Sequence, residues 1–124
     1  MKRNYTLYLN DILDAMESIR SFVADMDYKD FEQNDIISSA VIRKLEVIGE
    51  AAKQNGMRQK YPMVPWKDMA GMRDKLIHLY FGVDYLLVWI TIDTIIPAVI
   101  PTIKLILEKE GAEDQTTGEK LPNC

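Results

Sequence analysis

The chain is poor in the residues that most enzyme sites are built from. It has one cysteine, Cys124 at the last position, and one histidine, His78. A lone cysteine allows no disulfide framework, which suits a reducing cytosol. Without a second histidine or an internal cysteine the usual zinc ligand sets cannot be assembled. No clustered acidic motif proposes a magnesium site, so neither a metal nor a cofactor is expected. The six glycines form no phosphate-binding loop, and no serine sits in the strand–turn–helix setting of a hydrolase nucleophile. The opening "MKRNYTLYLNDILD" has no apolar core of a signal peptide, so a cytoplasmic location is expected. Internal repeats and long low-complexity tracts are absent.

What is present is 124 residues, 48% of them apolar, enough for one domain with one core. The net charge of −4 argues against broad, non-specific nucleic-acid binding. Its distribution is uneven. Between Arg43 and Lys75 there are eight basic and four acidic residues, a net +4, while 1–42 and 76–124 each sum to −4. A basic centre between acidic ends is compatible with a local phosphate site, and equally with ordinary solvated helix faces.

Helical periodicity runs nearly throughout. Tyr5, Leu9, Ile12, Met16, Ile19, Val23 and Met26 recur every three or four residues, an apolar seam on a first helix of about six turns. "DYKDFEQND" breaks the pattern. Ile37, Val41, Leu45, Ile48 and Ala52 mark a second helix ending near Asn55-Gly56. "MRQKYPMVPW" reads as a loop, and a third helix follows from Trp66 to Tyr80, stopped by Gly82. Asp84 is a natural N-cap for a fourth, with a kink or break at Pro97 and Pro101. Gly49 and Gly71 both fall inside helices at a cost of about 1 kcal/mol each. Close helix contact explains Gly49; at Gly71, room for a ligand or a partner chain is an equal contender.

Tyr85–Ile103 is nineteen residues with one charge, Asp93. By length it could span a bilayer. Asp93, the two prolines and the uncovered seams of the first two helices favour a core helix instead, buried on several sides, with a subunit interface as one of them. No membrane partner is expected. Residues 1–110 are expected to form the helical bundle and 111–124 a disordered polar tail.

The chemistry concentrates at 73–80. His78 can take a proton near neutral pH, and the guanidinium of Arg73 matches two phosphate oxygens. Together they suit RNA cleavage without a metal: the imidazole removes the ribose 2′-hydroxyl proton, and the arginine holds the phosphate under attack. On one helix, five residues separate the two by about 140°, so spacing alone does not bring them together. Arg58, Lys60, Lys67 and Lys75 are candidates for guiding RNA, although solvated surface charge is the better explanation of any single one; for Asp74 a surface charge explains it equally well.

"VIGEAAKQ", "YPMVPWKDMAGMRDKLIHLYFGVDYLLVW" and the segment around Pro97 resemble the HepT-type HEPN toxins, ribonucleases encoded beside a minimal nucleotidyltransferase antitoxin. The shared core is arginine, four residues, histidine, one residue, tyrosine, here Arg73 to His78 to Tyr80, framed by Trp66, Gly71, Met72, Phe81-Gly82 and Asp84. The resemblance covers about residues 5–110. It implies an all-α, up-and-down bundle of four to five helices that forms a homodimer with its sites in the cleft between subunits. It implies endoribonuclease activity carried by Arg73 and His78, with Asp74 in support, and Tyr80 as the residue the antitoxin adenylylates. Leu79 departs from the family, whose members often carry a polar residue there. The alternative is a non-catalytic helical module that dimerises, binds nucleotides and engages the nucleotidyltransferase.

Overall fold

A computed structural model of the chain describes residues 5–77 and 84–117. Four long helical rods account for most of it: α1 (Tyr5–Phe22), α3 (Asp35–Ala51), α5 (Trp66–Ile77) and a last rod made of α6 (Tyr85–Ile90), a π-helical turn (Thr91–Ile95) and α7 (Ile96–Thr117). Two short helices, α2 (Tyr28–Gln33) and α4 (Asn55–Lys60), join them. No strand occurs among the described residues. The fold is an all-α bundle of the HEPN type.

The periodic seams become the core. Leu9, Ile12, Met16 and Ile19 of α1 are buried against Val41, Leu45 and Ile48 of α3 and Ile96, Val99, Ile100, Ile103 and Ile106 of α7. α1 packs on both α3 and α7, and α3 packs on α5, so α3 stands between the first helix and the helix carrying the arginine. Lys104 to Glu17 at 3.3 Å and Lys60 to Glu110 at 3.0 Å tie the last rod to α1 and α4.

Two stretches without apolar periodicity contain short helices: α2 lies in "DYKDFEQND", and α4 takes 57–60 of "MRQKYPMVPW" while 61–65 are loop as expected. In "DYKDFEQND", Asp27 accepts from the Asp30 backbone N–H at 2.8 Å while the Asp30 carboxylate takes the Asp27 N–H, a reciprocal cap. The single turn this secures drives Phe31 into the core, beside the rings of Trp89 and Tyr85 at 5.3 and 6.2 Å. Asn34 then caps α3 by accepting from Ile37 N–H at 3.0 Å. In α4, Gly56 does not end a helix but lies within one, because the Tyr5 ring occupies the space a side chain would need. Met57 is fully buried there.

The expected break at Pro97 is a π turn. Proline lacks the N–H that would bond the Asp93 carbonyl, and its ring would collide with it. The backbone widens instead, and Ile96 N–H reaches back to Thr91 O. Pro101 is accommodated inside α7. Asp84 caps α6 as expected, accepting from Leu87 N–H at 3.0 Å. α7 continues past Glu110 to Thr117, where the sequence reading begins the polar tail.

Tyr85–Glu110 is long and apolar enough to cross a membrane by length and composition. One side of it, from Val88 to Ile106, is core. The other side leaves Leu86, Ile90 and Leu105 exposed.

Candidate active site

Trp66, Met69 and Ala70 form the buried side of α5, and the next position in that three-to-four spacing is Arg73. A charged residue therefore stands where the seam calls for an apolar one. It is accommodated by a glycine on the facing helix. A Cβ built on Gly49 would lie 2.0 Å from Arg73 Cβ, 2.8 Å from its Cγ and 3.1 Å from Met69 O. The two backbones thus approach closely at this crossing, and the arginine stem lies directly on α3. The close-contact reading of Gly49 holds. At Gly71 a Cβ would meet nothing within 4 Å, so this side of α5 is open.

The head of Arg73 is held as firmly as its stem. Nη2 pairs with Glu50 Oε1 at 3.0 Å, and Nη1 donates to Asp74 Oδ1 at 3.2 Å. Lys53, in the turn that follows α3, donates to the same Asp74 oxygen at 3.0 Å. The arginine side chain is only 25% exposed, whereas Glu50 is 65% exposed. The hydrogen bonds from Lys53 and then from Arg73 hold the Asp74 carboxyl below its ordinary value of 3.8. Asp74 is therefore a carboxylate across the neutral range. It braces Arg73 and links it to Lys53.

Arg73 and Glu50 line an open groove of about 580 Å³ between α1, α3 and α5, together with Tyr8, Arg43, Glu46 and Gln54 among others. That volume lies within the range of small-ligand sites. The guanidinium has five N–H donors. Even with one given to each carboxylate, three remain for a phosphate.

His78 and Tyr80, and Leu79 between them, lie outside the described residues, as do Phe81 and Gly82. Of the further basic candidates, Arg58 donates to Ala52 O at 3.0 Å and closes the turn after α3, and Lys60 pairs with Glu110. Lys67 and Lys75 are exposed on α5. Among the described residues no group of three or more His, Cys, Asp or Glu side chains could hold a metal ion. Glu50 and Lys53 were not singled out by sequence reasoning. The available signal was a helical glycine followed at once by a glutamate, with a lysine one turn on.

The family model described as ribonuclease HepT-like matches residues 12–106. Among curated relatives, "Putative RNase MJ0125" of Methanocaldococcus jannaschii is 51% identical over 109 residues, covering 86% of this chain and 94% of its own. "Putative RNase MJ1216" of the same organism is 48% identical, with 93% and 98% covered. "Probable ribonuclease HepT" of Thermococcus cleftensis is 46% identical, with 79% and 91% covered. No solved structure matches. With a family model spanning most of the bundle and relatives aligned over nearly their whole length, the chain belongs to the ribonuclease HepT-like family.

Proposed function

We propose that the protein is a metal-independent endoribonuclease, the toxin of a two-gene toxin–antitoxin module, acting in the cytoplasm as a homodimer. The observation that carries this reading is Arg73. Its side chain is 25% exposed, its guanidinium is paired with two carboxylates, and it lines an open groove of about 580 Å³, an arrangement suited to phosphate recognition. Family membership and the ribonuclease names of the relatives support the same activity.

In this mechanism His78 takes the proton of a ribose 2′-hydroxyl. The 2′-oxygen bonds to the adjacent phosphorus, and the bond from phosphorus to the 5′-oxygen breaks; the leaving oxygen takes a proton from water. Arg73 stabilises the charge that builds on the phosphoryl oxygens. The products are a 2′,3′-cyclic phosphate and a 5′-hydroxyl. A second subunit would bring further groups to the cleft and cover the apolar outer side of the last rod, where Leu86, Ile90 and Leu105 are exposed. Adenylylation of Tyr80 by a minimal nucleotidyltransferase partner would bring bulk and negative charge to the phosphate-binding cleft and repel RNA.

The test is cleavage of RNA by the purified chain, with EDTA present, beside His78→Ala. The parent cuts and the variant does not, while both unfold at the same temperature. A His78→Ala protein that cuts at the parent rate removes the histidine from the mechanism. A parent that binds RNA or nucleotides but never cuts supports the non-catalytic module.

A further inference from the structure

We infer that Glu50 of α3 and Lys53 in the turn that follows it are positioning residues for cleavage, acting through Arg73 and Asp74. The inference rests on the proposed endoribonuclease reading and extends it from α5 to a second helix.

Three observations at the C-terminal end of α3 and the turn after it converge on one side chain. Gly49 receives the stem of Arg73. Glu50, the next residue, pairs with Nη2 at 3.0 Å. Lys53 fixes Asp74 at 3.0 Å, and Asp74 fixes Nη1 at 3.2 Å. The guanidinium is thus clamped at both terminal nitrogens by groups that reach it from different directions. An arginine side chain otherwise loses much of its rotamer freedom when it takes one geometry. Here that ordering is done before substrate arrives, which is the condition for strong transition-state stabilisation.

The four charges sum to zero: Arg73 and Lys53 against Glu50 and Asp74. The clamp therefore does not build a broad positive field that would attract RNA. It fixes the direction of one donor fork. Surface ion pairs contribute little to stability, and Glu50 and Lys53 are 65% and 37% exposed. A purely structural role predicts small effects on folding and none on chemistry. A positioning role predicts the reverse: loss in kcat with KM nearly unchanged.

Cleavage kinetics on full-length protein, with thermal unfolding measured in parallel, separate these. Glu50→Gln keeps shape and removes charge. It should lower kcat by about 10- to 100-fold, the scale of an ångström-level misplacement, with KM within about twofold. Glu50→Asp should recover part of the loss. Lys53→Gln should lower kcat less, since it acts through Asp74. In Arg73→Ala, already crippled, adding Glu50→Gln should cost nothing further, because a positioning residue has nothing left to position. The inference is overturned if Glu50→Gln leaves kcat unchanged, or if it raises kcat, which would make Glu50 a competitor of the phosphate. Equal extra loss in the Arg73→Ala background also overturns it. If Arg73→Ala itself cuts at the parent rate, the endoribonuclease mechanism fails first, and that outcome is distinct from failure of the clamp alone.

Discussion

Gly49→Ala tests the α3–α5 crossing on which the site depends. In an open helix this change would stabilise the protein by about 0.5–1 kcal/mol through better helix propensity. Here the new methyl would stand 2.0 Å from Arg73 Cβ and 3.1 Å from Met69 O. Comfortable carbon–carbon contact is about 3.5–4.0 Å, so the crossing must open by roughly 1.5 Å. No rotamer change relieves it, because the first clashing atom is a Cβ fixed to the backbone. Overpacking of this kind costs about 1–3 kcal/mol. After subtracting the propensity gain, the net loss is about 1–2 kcal/mol. At roughly 3–5 °C per kcal/mol for a chain of this size, Tm should fall by about 3–10 °C. Gly71→Ala is the matched control, since a Cβ there meets nothing within 4 Å; its Tm should hold or rise. Cleavage by Gly49→Ala should drop further than its stability explains, because the shifted α5 carries the guanidinium away from Glu50. A Gly49→Ala protein with an unchanged or raised Tm would refute the close approach.

Two other consequences follow from named contacts. Trp66 Nε1 donates to Tyr61 O at 2.7 Å in a buried setting, and that carbonyl also accepts from Val64 N–H at 3.2 Å, so Trp66→Phe removes one of its two bonds and should cost about 0.5–1.5 kcal/mol in urea unfolding; unchanged stability would count against the bond. Asp74 has its folded value depressed by Lys53 and Arg73, so its contribution is present above the ordinary carboxylate value and is lost as pH falls through the depressed one. The stability gap between the parent and Asp74→Asn should therefore be constant near neutrality and shrink in acid, and a gap that widens in acid would contradict the assignment.

Much of the bundle was legible because its long rods are amphipathic. The seam from Leu9 to Ile19 and the one from Val41 to Ile48 appear as buried side chains on α1 and α3. α2 and α4 were not legible, because each is too short for a period to show and is fixed by one buried anchor, Phe31 or Met57. Gly56 reads as a helix stop in isolation; the Tyr5 ring that makes it an interior residue is distant in sequence. The π turn was legible only as a disturbance at Pro97, since sequence does not say whether a helix bends, breaks or widens there.

At the site, the motif pointed to Arg73 and Asp74, and the structure shows what holds them. The arginine's partners could not be read from its own helix. Glu50 belongs to α3 and Lys53 to the turn just past its end, and their relation to Arg73 exists only once Gly49 lets the two helices meet. An unbroken helix would set Arg73 and His78 about 140° apart; His78 lies outside the described residues, and that expectation from spacing is the reason a second subunit enters the proposed mechanism.

The most direct measurement is the chemistry of the cut ends. Purified protein incubated with a defined RNA in excess EDTA should leave a 2′,3′-cyclic phosphate on one fragment and a 5′-hydroxyl on the other, and Arg73→Ala and His78→Ala should leave the RNA whole. Fragments ending in a 3′-hydroxyl and a 5′-phosphate, or cleavage that stops when EDTA is added, would contradict a mechanism built on one arginine and one histidine.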